Sequence, residues 1–221
     1  MSSDDPRTRL LEAAGQTFAE KGFKGATVRE IVQRAGLNLA AVNYYFRDKE
    51  GLYQEAVKAS CCGASDEFRL PEWSPDTSPA VKLADFIRAE VRTVLGNRAH
   101  PWHRRLMMLE LANPTPACAE LVAGRIRPRA ELLGGLLREL LPEVPADRRN
   151  LIAHSIVGQC VFHRLAQPIV ALLVGEEEYR TYDTARLAEH IIEFSFAALG
   201  LRPPLGRASR ETVNADGGGG A

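Results

Sequence analysis

"ATVREIVQRAGLNLAAVNYYFRDKEGLYQEAV", residues 26–57, is the stretch on which the reading of this chain turns. Thr27 with Glu30 three positions later forms a T-x-x-E capping box, in which each side chain satisfies a backbone donor at a helix start. Val28, Ile31, Val32 and Ala35 then recur at helical spacing and give that helix one apolar face. Gly36 stops it, because glycine adopts the left-handed conformation of a helix end at little cost. Asn38 caps a third, shorter helix, "LAAVNYYF", and "RDKEG" punctuates before a fourth from about Glu50 to Asp66. Within "LAAVNYYF", Val42 and Phe46 share one face and Asn43 and Tyr44 the other. Two short helices joined by "AGLN" fit a helix-turn-helix, whose glycine-containing turn sets them steeply to one another.

Outward from this stretch the period stays helical. The first helix starts after "DDP", with Asp5 as cap and Pro6 at the first helical position. Leu10, Leu11, Ala14 and Phe18 form its apolar face, and Gly22 is its expected left-handed terminator. "RLPEWSPDTSP", residues 69–79, is a proline-rich linker and marks a boundary. Further helices are expected at about 79–97, 102–112, 116–141, 146–173 and 183–200, with Pro168 bending the fourth of these near Arg164 to Gln167. Residues 202–221 have almost no apolar content and are expected to be a disordered tail. No run alternates as a strand would. The fold class is therefore all-α, with domains at 1–58 (its connecting fourth helix reaching about 66) and 69–201.

Composition removes several classes of function. Lys+Arg and Asp+Glu both number 28, so no global charge points to a polyanion, although a local basic patch remains compatible with that balance. The start lacks the cationic segment and long apolar run of a secretory signal. The longest apolar stretch carries two His, an Arg and two Gln, a poor lipid-spanning helix, so no membrane partner is expected. The four cysteines, at 61, 62, 118 and 160, make no C-x-x-C and imply reduced thiols in a cytoplasmic protein. His100, His103, His154 and His163 have no metal-ligand spacing, and neither metal nor cofactor is expected. There is no G-x-S-x-G and no phosphate-cradling glycine loop, so the chain does not read as an enzyme.

The second helix of a helix-turn-helix fits the major groove of DNA. Leu39 and Ala40 are small or uncharged at its leading end, which permits close approach to base edges. Asn43 can pair with an adenine edge through two hydrogen bonds, and Tyr44 and Tyr45 can donate to phosphates. Thr27, Asn38 and Lys49 stand at helix starts, where the helix dipole favours phosphate, and Lys49 adds its own charge. Phe46, Val42 and Leu52 read as core.

Residues 26–57, with "RLLEAAGQTFAEKGFKGATV" before them, closely resemble the DNA-binding signature of the TetR family of transcriptional regulators. The matching features are the Thr-capped helix, "IVQRAG", the aromatic pair before Phe46, and "KEGLY". Asn43 stands where that family's recognition helix has its first aromatic, and Leu39 replaces a frequent Lys or Arg; both bear on which operator is read. "NLAAVNYYF", "ELANPTPA" and "VGQCVFHRLAQP" are similar to a CecR-like subgroup. The resemblance implies double-stranded operator DNA as partner, a small-molecule effector, and a C-terminal domain for ligand binding and homodimerisation. Independently, the helices at 146–173 and 183–200 are more apolar than one flank of a monomer requires, with Ile152, Ile156, Leu187, Ile191 and Phe194 as expected dimer contacts. "PWHRRLMMLEL" mixes aromatic, thioether and ionisable groups within a few turns, and Trp102, His103, Leu106, Met107 and Glu110 are its candidate pocket lining. The competing reading is a helical ligand-binding or interaction protein whose helix-turn-helix is only structural.

Overall fold

The computed structural model describes residues 5–62, 68–95, 100–203 and 205. Among them every regular element is helical: α1 Pro6–Gly25, α2 Val28–Ala35, α3 Leu39–Phe46, α4 Lys49–Cys62, α5 Pro79–Leu95, α6 Pro101–Ala112, α7 Pro116–Leu121, a π-helical turn Val122–Ile126, α8 Arg127–Leu140, α9 Ala146–Leu165, α10 Gln167–Val174, α11 Glu176–Tyr179 and α12 Thr184–Ala198. The last residues expected in α4 and α5, and nearly all of the expected tail at 202–221, lie outside the described residues.

Local chemistry accounts for most boundaries. The Asp5 carboxylate accepts from the Arg7 and Thr8 amides at the start of α1. Thr27 accepts from the Glu30 amide at 3.2 Å and Asn38 from the Ala41 amide at 3.2 Å. The capping box is only half made, however, because Lys21 takes the Glu30 carboxylate at 2.6 Å instead of the Thr27 amide doing so. Gly36 closes α2 in the left-handed conformation, φ 66° and ψ 35°. Gly22 does not end α1 as expected. At φ 68° and ψ 174° it kinks the helix, which resumes for one short turn to Gly25. The segment expected as one helix over 116–141 is broken by the π-helical turn, and the one over 146–173 bends by 76° between α9 and α10. Pro168 explains that bend, since it has no amide hydrogen to give the preceding turn. No single described helix is long and apolar enough to cross a membrane; α9 and α10 pass on length and composition only as that bent pair.

The chain packs as two units, one of residues up to Phe68 with Thr93–Leu132, the other of Arg69–Arg92 with the residues from Leu133 on. The first unit buries Leu10, Ala14 and Phe18 of α1, Ile31 and Val32 of α2, Val42 and Phe46 of α3, and Leu52 and Val57 of α4 in one core. That core also takes in Trp102 and Leu106 of α6. The Trp102 ring lies so close to Gly15 that a Cβ there would come within 2.5 Å of it, and its indole N–H donates to Glu12 at 2.8 Å. Burying a Trp costs least when the N–H is met, as here. In the second unit, α5 buries Leu83, Phe86 and Ile87, α8 Leu133, Leu136 and Leu137, α9 Ile156 and Cys160, and α12 Leu187, Ile191 and Ile192. Arg88 forks onto Glu189, with its Nε at 2.7 Å, and so ties α5 to α12.

Candidate nucleic-acid interface

Helix α3 has two faces of opposite character. Val42 and Phe46 are buried and hold it to the core, while Asn43, Leu39, Ala40 and Tyr44 point to solvent, Tyr44 with 82% of its surface exposed. Tyr45 is half-buried and meets Tyr44 edge-on, ring centroids 4.8 Å apart, which orients the outer phenol. The helix carries no charge of its own, so it offers neutral donors and acceptors. Cationic groups flank it: Arg29 on α2, Arg47 just after α3, and Lys49 at the start of α4. Lys49 places its ammonium 4.6 Å from the centroid of Phe23.

The remaining expected contacts stand at helix starts. Thr27 and Asn38 are exposed, and their side-chain oxygens already accept from the amides they cap. What remains for an external partner is the Thr27 hydroxyl hydrogen and the Asn38 amide hydrogens. The angle between α1 and α2 is braced by Arg34, which forks onto Glu20 at 2.9 and 3.2 Å, and by Lys21 on Glu30. Arg34 in turn holds the Glu20 carboxyl below its ordinary value. Such exposed pairs each contribute about 1 kcal/mol or less. The apolar faces of Val42 and Phe46 therefore outweigh them in fixing α3.

The turn after α3 was not foreseen. Arg47 has φ 74° and ψ −51°, and it is the only non-glycine residue with positive φ among the described residues. The Asp48 amide donates to the Phe46 carbonyl at 2.9 Å, so residues 46–48 form a γ-turn of the rare positive-φ kind. Such backbone costs about 1–3 kcal/mol. The turn cannot be relieved at Gly51, where a Cβ would collide with the Phe46 carbonyl oxygen, and Asp48 accepts from the Gly51 amide at 2.7 Å. The sequence "FRDKEG" gives no warning of it, because no glycine or Asn marks position 47.

The candidate pocket residues on α6 are mostly engaged by packing within the first unit. Leu106 is fully buried, and Met107 lies against the same core. His103 is buried edge-on to Trp102, centroids 3.9 Å apart. Glu110 is buried and accepts from the Tyr53 hydroxyl at 2.5 Å and from the Thr115 amide at 3.1 Å, so a carboxylate on α6 is joined to α4. Burial, and then that hydrogen bond, push the Tyr53 phenol far above its ordinary value and keep it a donor. Trp102 borders an open crevice of about 280 Å³ with Gln16, Glu20, His100 and Arg105. Of the expected dimer contacts, Ile156, Leu187 and Ile191 turn inward, Ile152 is half-buried and Phe194 is exposed. Cys61, Cys118 and Cys160 are free thiols, and burial, then Glu90, pushes that of Cys160 up to about 12. Among the described residues no group of three or more His, Cys, Asp or Glu is placed to hold a metal.

Comparison with known proteins decides what this arrangement belongs to. Residues 10–56 match the family model "Bacterial regulatory proteins, tetR family". Residues 79–199 match "HTH-type transcriptional dual regulator CecR, C-terminal domain". The chain is 36% identical over 187 residues to the HTH-type transcriptional dual regulator CecR of Shigella flexneri, covering 79% of this chain and 82% of that protein. This is a TetR-family regulator of the CecR type. It is also 26% identical over 202 residues to the HTH-type transcriptional regulator RutR of Escherichia coli K12, covering 88% of this chain and 89% of the relative. A TetR-like transcriptional regulator from Rhodococcus sp. RHA1 shares the fold, with TM-score 0.59 at 17% identity over 91% of this chain and all (100%) of that one. TetR-family members of this kind are DNA-binding transcriptional regulators rather than enzymes, and this chain is such a regulator.

Proposed function

We propose that the protein is a homodimeric, cytoplasmic repressor that holds operator DNA through α3 and releases it when a small molecule binds the domain formed by residues 69–201. The observation that carries the DNA half is the division of α3, with Val42 and Phe46 inside and Asn43 and Tyr44 outside. In this reading Asn43 reads a base, Tyr44 and Tyr45 hold phosphates, Thr27, Asn38 and Lys49 fix the register, and Leu39 and Ala40 lie against base edges. A dimer follows from the second unit, where Leu151, Phe162, Ile169, Leu172, Leu173 and Phe194 leave large apolar surface in water. Covering that surface with a second copy is what a two-fold operator reader needs, its two recognition helices then lying about 34–36 Å apart.

Footprinting on DNA upstream of the protein's own gene, repeated with candidate effectors, tests the proposal. Asn43→Ala is expected to relax base preference at one position per half-site, by about 1–3 kcal/mol. Lys49→Ala is expected to weaken all sequences alike and to flatten the salt dependence. An unchanged binding motif in Asn43→Ala removes Asn43 as the reader. Protection that no effector relieves removes the release mechanism.

A further inference from the structure

We propose that Arg47 is a DNA-backbone contact, held beside the recognition helix by a strained turn so that its guanidinium meets a phosphate flanking the groove. The inference rests on α3 being the helix that enters DNA. Among the described residues nothing explains an arginine at this position. Its backbone, φ 74° and ψ −51°, is one that glycine adopts without strain and an L side chain resists. Its side chain is 89% exposed, and the contact it makes is with Asp48, at 3.7 Å. That carboxylate is already engaged by the Gly51 amide. A glycine at 47 would thus give the same turn more cheaply, and the guanidinium is left directed at solvent.

The surroundings fix where that guanidinium stands. The Phe46 ring is buried under the Arg7 guanidinium, 5.1 Å from its centroid, and the Phe46 carbonyl accepts from Asp48. The start of α4 closes tightly on this turn, since a Cβ at Gly51 would collide with the Phe46 carbonyl oxygen. Arg47, Asn43 and Tyr44 consequently line one open crevice of about 530 Å³. A base reader, a phenol and a planar five-donor cation are thereby presented together, and the fork of an arginine suits phosphate oxygens. The charge lies just past the end of α3, a position from which a cation reaches the DNA strand beside the groove and not the bases within it.

The test separates strain from contact. Arg47→Gly and Arg47→Lys are compared with the full-length wild type for thermal midpoint and for binding to a labelled random-sequence duplex across a salt series. Arg47→Gly is expected to melt a few degrees higher, because the strained residue is gone. It is also expected to lose about 0.9 from the magnitude of the slope of log K against log salt for each phosphate contact removed. The duplex upstream of the protein's own gene should weaken by the same factor as random DNA, and Arg47→Lys should keep most of the slope. A glycine variant that binds with the wild-type slope overturns the contact, and one that melts lower overturns the strain. Wild-type protein that binds neither duplex in a salt-dependent way fails the underlying assignment of α3, a result distinct from both.

Discussion

Helix α3 and the helices α9, α10 and α12 both face water, but they do so in opposite ways. Around α3 the large apolar pair Val42 and Phe46 is inside, and the exposed face joins Leu39 and Ala40 to the hydrogen-bonding groups of Asn43 and Tyr44, with Arg47 and Lys49 following in the chain. Around α10 no residue is buried, and Leu172 is 86% and Leu173 78% exposed. The first surface is complete in water and gains from a polyanion. The second leaves Leu172, Leu173, Ile169 and Phe162 in water, and a grouping of large exposed apolar side chains is what marks an interaction site. One molecule therefore presents a largely polar face on one packed unit and an apolar face on the other, and the proposed function uses the first for recognition and the second for assembly.

The sharpest way to break this comparison is to place a carboxylate on the two sides of α12. Ile191 is fully buried and Phe194 is half-exposed. Ile191→Glu buries an unpaired charge at several kcal/mol, a large part of a total stability of roughly 5–15 kcal/mol. It should leave little folded protein by circular dichroism. Phe194→Glu should fold normally yet sediment as a monomer with operator binding lost. If Phe194→Glu remains a dimer, the exposed face is not the assembly surface.

A smaller effect tests how far the polar unit extends along the chain. Trp102 belongs to the core that holds α1 and α4. Trp102→Ala should cost about 3–5 kcal/mol in urea denaturation, the usual range for removing a buried Trp. A cost near zero would mean that α6 is not part of that unit.

The smallest effect is one of pH in the apolar unit. Burial, and then nearby His190, hold the His163 imidazole below its ordinary value. The folded state thus prefers the neutral ring. Its stabilising contribution is fully present above about pH 6.5, the unfolded value, and is lost as pH falls through the folded value. His163→Gln should accordingly lose less stability than wild type between about pH 7 and 5. Parallel pH profiles for the two proteins would show that His163 contributes nothing to acid sensitivity.

Helix α3 was legible to the residue. Asn38 as cap, Leu39–Phe46 as helix and Val42 with Phe46 as its buried pair all follow from signals within one or two turns. Gly36, and the bend before Pro168, were legible for the same reason. The role of Gly22 was half legible: its positive φ was, and the extra turn after it was not. The capping box failed at Glu30 because Lys21, nine residues earlier, competes for that carboxylate.

By itself, then, the sequence determined the all-α class, the caps and the faces of α2 and α3, because hydrogen bonds at helix ends and a 3.6-residue period act over a few residues. The tertiary structure decided which apolar stripe of α12 is inside and that Trp102 sits on Gly15. It also decided that Glu110 meets Tyr53, 57 positions away, and that Arg47 carries a strained turn. Each of these depends on a surface supplied by a distant part of the chain, and periodicity alone shows that a face is apolar without showing what will cover it.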